Sequence, residues 1–179
     1  ILPDIHDWAT GMRQRIGFCT TEDDVRIAYA TSGRGRPLLR VGGWMTHIEH
    51  DLESPVWRHW LQELTRDHTL ARFDIRGSGL SDRDVNGQTL EAWVRDVEAV
   101  VDSLGWRQFP MLGVCQGAAI AVLYAVRHPE KVTHLVLYNP YAHGAFTEGM
   151  AGYRVEEAET LARMIEVGWA RKTGAFREV

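Results

Sequence analysis

Cysteine is scarce: Cys19 and Cys115 are the only two in 179 residues. Two so far apart make no disulfide framework, and no Cys-x-x-Cys or paired Cys/His spacing offers a zinc site. No metal and no cofactor are expected, and a reducing cytoplasm is the simplest home. Long apolar runs are missing too. None approaches the roughly 18 residues of a membrane span, and the first residues lack the basic-then-apolar pattern of a secretory signal, so no membrane partner is expected. No block of Lys and Arg interrupts a chain of net charge −4, which argues against a nucleic-acid partner. Internal repeats and low-complexity segments are also lacking. What remains is a chain with 45% hydrophobic residues, enough to build one sizeable core.

The pattern along the chain alternates strands with helices. Arg15–Thr20 and Val25–Ala30 read as two strands joined by the turn Thr21-Glu22-Asp23-Asp24, an antiparallel hairpin. A loop at 33–37 leads into a short inner strand, Leu38–Val41, which ends at Gly42-Gly43-Trp44. Ser54-Pro55 predicts a cap and first helical position, opening a helix with Val56, Trp57, Trp60, Leu61 and Leu64 on one face. Thr69–Phe73 is the next strand. After Thr89, Leu90, Trp93, Val94, Val97, Val100, Val101 and Leu104 recur by threes and fours, a strongly periodic helix. Strands at 109–114 and 132–138 flank a small-residue helix, and a charged helical stretch begins near Thr147, bearing Ala158, Leu161, Ile165 and Trp169. The fold class expected is α/β: a mostly parallel sheet with helices on both faces, entered by an antiparallel hairpin.

Gly113-Val114-Cys115-Gln116-Gly117 sits between an apolar strand and the helix Ala118–Ala125. It reads as a nucleophile elbow, Gly-x-nucleophile-x-Gly, with cysteine at the position serine usually takes. A sharp strand-to-helix turn lifts the nucleophile off the sheet, and the helix N-terminus favours a thiolate or an oxyanion. A free thiol has a pKa near 8.5, so a few per cent is thiolate at pH 7 without help. The competing reading is that Cys115 is a small buried apolar residue.

Several stretches resemble the α/β-hydrolase family. Asp74-Ile75-Arg76-Gly77-Ser78-Gly79-Leu80-Ser81 resembles its Asp-x-Arg-Gly-x-Gly-x-Ser loop, where Asp74 and Arg76 would pin neighbouring loops. The elbow is the second stretch, and Arg127-His128-Pro129-Glu130-Lys131-Val132 is similar to the family's His-Pro-Glu link, with His128 at a helix end. Within the family, Arg15–Thr20, Val25–Ala30, Glu53–Trp60 and Leu135–Tyr138 resemble hydrolase domains of multidomain bacterial regulators that carry LuxR-type or adenylate-cyclase-type modules. Residues 1–14 are polar and irregular and read as a lead-in; the resemblance implies the N-terminal part of a hydrolase core over 15–146 and the start of a helical cap over 147–179. The last strands of the sheet are then expected to be missing.

The resemblance also implies how a site would be built. Cys115 would be the nucleophile, and the backbone N–H groups of Gln116 and Trp44 would form the oxyanion hole. The family's triad acid and histidine lie on later loops and are not visible. His47, His50 and His143 are the candidates inside the chain for a base, and Asn139 stands at a strand end where some hydrolases carry an acid, a role an amide cannot fill. The leading expectation is hydrolysis of a small-molecule ester, thioester or lactone through an acyl-cysteine. The alternative is a non-catalytic module that binds a small acyl or aromatic ligand, with redox sensing through Cys115 as a third. An incomplete sheet would expose an edge strand, so a dimer or a complementing C-terminal fragment is an expected partner.

Overall fold

The turn Thr21–Asp24 shows how local chemistry starts the sheet. Thr21 N donates to Val25 O and its Oγ1 accepts from the Val25 N–H, while Asp24 takes a positive φ of 66°. The chains on either side therefore return antiparallel as β2 (Arg13–Thr20) and β3 (Arg26–Ser32). The structure is a computed structural model that describes residues 5–6, 12–43, 46–142 and 152–168. It divides into two compact units, Ile1–Tyr141 and Ala142–Val179.

The first unit holds a seven-stranded sheet. Its other strands are β1 (Ile5–His6), β4 (Arg36–Val41), β5 (His68–Phe73), β6 (Phe109–Val114) and β7 (Val132–Tyr138), and the order is β1-β2-β3-β5-β4-β6-β7. The strands β1, β2, β3 and β5 pair antiparallel in turn; β5, β4, β6 and β7 pair parallel. The expected α/β class with a hairpin entry is what the chain forms. Helices cover both faces. On one, α2 (Leu90–Leu104) and α3 (Gln116–Arg127) bury Val94, Val97, Val100, Val101, Ile120, Ala121 and Tyr124 against Leu39, Val41, Phe73 and Met111. On the other, α1 (Arg58–Leu64) packs Leu61 against Leu38, Leu70, Leu112 and Val114. The Thr89 side chain accepts from the Ala92 N–H and Gly105 closes α2 in the left-handed conformation, a cap at each end.

Three boundaries differ from the pattern-based reading. The lead-in was expected to be irregular, yet Ile5–His6 pairs with Arg13 and Gln14. The loop expected at 33–37 is cut short because β4 begins at Arg36; there it pairs only with β5, and β6 joins from Leu39. A proline at Pro37 is tolerated because no second ladder asks for its N–H. The helix expected from Pro55 starts at Arg58 instead. Ser54 Oγ accepts from the Val56 and Trp57 N–H groups and Ser54 O from Arg58 N, which makes 55–57 a turn and leaves Val56 exposed.

At the far edge, Leu135, Val136, Leu137 and Tyr138 of β7 are exposed. Among the described residues β7 pairs with β6 alone. The second unit contains α4 (Gly152–Gly168), on which Leu161, Met164 and Val167 are exposed. Trp169 and the side chain of Ile165, expected on the same charged helical stretch, lie outside the described residues. No described helix is long and apolar enough to cross a membrane.

Candidate active site

The connection from β4 leads to β5 on one side of it, and the connection from β5 crosses to β6 on the other. Where strand order reverses in this way, the carboxyl ends of the strands leave a crevice between diverging loops. Val41 pairs with Gly113 there, so Gly42-Gly43 and Cys115 leave neighbouring strands side by side. Cys115 has φ 51° and ψ −115°, a conformation that is costly for a residue with a Cβ, about 1–3 kcal/mol, and persists only where its surroundings enforce it. The enforcement is visible. Cys115 N donates to Tyr138 O at 2.9 Å, and Cys115 O accepts from Ala118 N at 3.0 Å, so the turn is tied to β7 and to α3 at once.

Both glycines of the elbow are sterically required. A Cβ on Gly117 would collide with the carbonyls of Val41 and Gly42, and one on Gly113 would meet Ala118 Cα at 2.7 Å. The start of α3 can press onto the end of β4 only because these positions have no side chain. The result is an exposed thiol at Cys115, not the buried packing cysteine of the competing reading. The other thiol is its opposite. Cys19 is half-buried, donates to Ile27 O, and is pushed up to about 11, by burial first and by the charge of Asp96 second.

The expected site residues fall into three groups. Gln116 opens α3 with its N–H in the first turn, and its side chain lies over Gly43. Trp44 and His143 lie outside the described residues. His47 and His50 are described, but they turn to each other, with ring centroids 4.2 Å apart. His47 Nδ1 accepts from the Glu49 and His50 N–H groups. Among the described residues no hydrogen bond joins either histidine to Cys115. Asn139, dismissed as an acid from its residue type, is the side chain that does reach it: its Nδ2 donates to Cys115 Sγ at 3.8 Å.

Asp74 and Arg76 act as pins. Asp74 is fully buried and accepts from the Ile48 and Leu80 N–H groups; burial pushes its carboxyl up while those donors pull it back. Arg76 binds Asp23 in the β2–β3 turn through both Nη atoms and Asp96 of α2 through Nε. Burial opposes its charge, but the two carboxylates more than offset that and hold it above the usual arginine range.

A buried network that was not read from the sequence holds the loop after β4. Arg40 and Arg72 are register partners on β4 and β5, both buried, and each donates to Asp51 Oδ2 at 3.2 Å. Arg72 also donates to Gln14 Oε1 and Ile48 O, and Arg40 lies over the Trp57 ring at 4.2 Å. Burial lowers both guanidinium groups, Arg72 to about 10, with Asp51 working against the shift; the Cys115 thiolate also favours the charged Arg40. The signal was a charge inside each of two otherwise apolar strand runs, at matching positions. Beside it, Trp60 packs edge-on to Tyr138 at 4.9 Å and to Trp57 at 6.3 Å, an aromatic wall next to the elbow.

Comparison with known proteins agrees with this fold. The model of a family described as "alpha/beta hydrolase fold" matches residues 37–165. The chain is 29% identical over 130 residues to mouse "Epoxide hydrolase 4", covering 71% of this chain and 35% of that protein. It is 29% identical over 151 residues to "2-hydroxymuconate semialdehyde hydrolase" of Pseudomonas sp. (strain CF600), covering 80% and 51%. The crystal structure of the esterase RhEst1 from Rhodococcus sp. ECU1013 superposes with a TM-score of 0.61 at 28% identity, over 70% of this chain and 46% of that one. The chain spans between about a third and about half the length of these relatives.

Proposed function

Because the chain belongs to the alpha/beta hydrolase fold family, we propose that its elbow carries out acyl transfer through Cys115, hydrolysing a carboxylic ester, thioester or lactone. The observation that carries this reading is the setting of Cys115: an exposed thiol, held at φ 51° between β6 and the N-terminus of α3, beside the Gly42-Gly43 loop. In the proposed reaction the thiolate attacks the acyl carbonyl carbon. The oxyanion that develops is held by the Gln116 N–H and by an N–H of the loop at Trp44, and collapse expels the alkoxide or thiolate, which takes its proton from water. Water then attacks the thioester, the acid leaves, and Cys115 is restored.

Acyl transfer is a better fit to a thiol than the ring opening suggested by the epoxide hydrolases among the relatives. A thiolate that opens an epoxide forms a thioether, which water does not cleave, so the nucleophile would be consumed. An acyl-cysteine is hydrolysable. The second half of the cycle needs a base, and no described histidine hydrogen-bonds Cys115, so acylation is expected to outrun deacylation in this chain. A reducing compartment such as the cytoplasm would keep the thiol free.

Pre-steady-state hydrolysis of a p-nitrophenyl ester, with intact mass taken during the burst, tests the reading. It predicts an acyl adduct and a burst that both vanish in Cys115→Ala. No adduct, and equal release by the two proteins, would refute it. A second reading, a small-molecule sensing module of a multidomain regulator, draws on the aromatic wall of Trp57, Trp60 and Tyr138. It predicts that binding of an aromatic acid survives Cys115→Ala.

A further inference from the structure

Two non-glycine residues at neighbouring strand ends share a positive φ. Cys115 follows β6 at φ 51° and Asn139 follows β7 at φ 51°. The backbone bond from Cys115 N to Tyr138 O, 2.9 Å, ties the two turns together at the residue before Asn139. This sets the Asn139 side chain beside the thiol, and its Nδ2 lies 3.8 Å from Sγ.

We propose that Asn139 is a positioning residue for Cys115, its amide N–H holding the thiolate in place above the elbow. The inference rests on the reading of Cys115 as the nucleophile and adds the residue that orients it. The chemistry favours an amide at this point. Sulfur is a weak acceptor as a thiol and a better one as a thiolate, so an N–H at this point is a fitting partner for the attacking sulfur. A carboxylate of the same shape would offer no donor and would repel the anion. Asparagine also tolerates the left-handed backbone that the turn imposes, so one residue meets both demands. Two residues on, the Tyr141 phenol is raised by burial and then by the Cys115 thiolate.

The test is the second-order rate of Cys115 alkylation by iodoacetamide at neutral pH, followed by intact mass, for the 179-residue chain and two variants. Cys19, half-buried and with its thiol pushed up to about 11, serves as the slow internal reference. Asn139→Asp keeps side-chain shape and turn preference, so a merely structural role would leave the rate unchanged. The proposal expects a fall of about tenfold or more, as for loss of a hydrogen bond to a charged group with a like charge put in its place. Asn139→Gly keeps the backbone at no steric cost and removes only the donor; a fall of several-fold is expected. Rates within twofold of the parent in either folded variant would overturn the proposal. The readout needs no hydrolysis. A flat burst with the alkylation difference intact would sink the acyl-transfer reading alone, and the reverse would sink the role of Asn139 alone.

Discussion

Removing the Asp51 carboxylate should be the most damaging polar substitution in the sheet unit. Asp51 Oδ2 accepts from Arg40 and Arg72 at 3.2 Å each, and all three residues are at most 5% exposed. Asp51→Asn preserves shape but leaves two buried guanidinium groups without their shared anion. Burial already pushes Arg72 down to about 10 with Asp51 in place, and the variant takes away the anion that opposes that shift. Breaking a buried pair in this way costs about 3–5 kcal/mol, which for a chain of this size is a fall in Tm of about 6–20 °C. The loss should fall unequally. Arg72 keeps Gln14 Oε1 and Ile48 O as acceptors, whereas Arg40 is left with the Trp57 ring among the described residues. Adding Arg40→Met to Asp51→Asn should therefore recover part of the stability, because it removes the stranded charge and keeps the packing volume. Urea unfolding of the parent, both single variants and the double variant closes the cycle. A cost below about 1 kcal/mol for Asp51→Asn, the value of an exposed pair, would refute the argument. So would a double variant less stable than Asp51→Asn.

Two further expectations follow from the pins and the elbow. The Asp23 carboxyl is held well below its usual range, first by its bonds to Arg76 and then by Thr21 and Arg95. A depressed carboxylate stabilises the fold fully above its unfolded pKa of about 3.9 and loses that contribution as pH falls toward the folded value. The Tm gap between the parent and Asp23→Asn should therefore be widest at pH 5–7 and shrink below about pH 4; a gap that widens in acid would contradict the pairing. Gly117→Ala drives a Cβ into the carbonyls of Val41 and Gly42, backbone that cannot swing aside. It should cost about 1–3 kcal/mol in urea unfolding and also slow Cys115 alkylation, and a silent variant would mean that α3 does not press on β4.

The alternation of strands and helices, the hairpin turn at Thr21–Asp24 and the periodic α2 were readable along the chain, because each depends on neighbours within a few residues. The elbow was readable for the same reason: a strand, a glycine-flanked cysteine and a small-residue helix are a local arrangement. Boundaries set by contacts from elsewhere were not. The early start of β4 at Arg36 depends on which strand lies beside Pro37, and the late start of α1 depends on how Ser54 uses its oxygens.

The divide is sharpest at the site. Sequence by itself determined that Cys115 sits on a strand-to-helix turn, since the steric demand for Gly113 and Gly117 is written at adjacent positions. Only the tertiary structure decided what surrounds it. Asn139 is 24 residues away and reaches the thiol because β6 and β7 pair in parallel register. Arg40, Arg72 and Asp51 meet because β4 and β5 lie side by side and a loop folds over them. Local sterics are encoded residue by residue, whereas a charge finds its partner only once the whole sheet has assembled and removed the water between them.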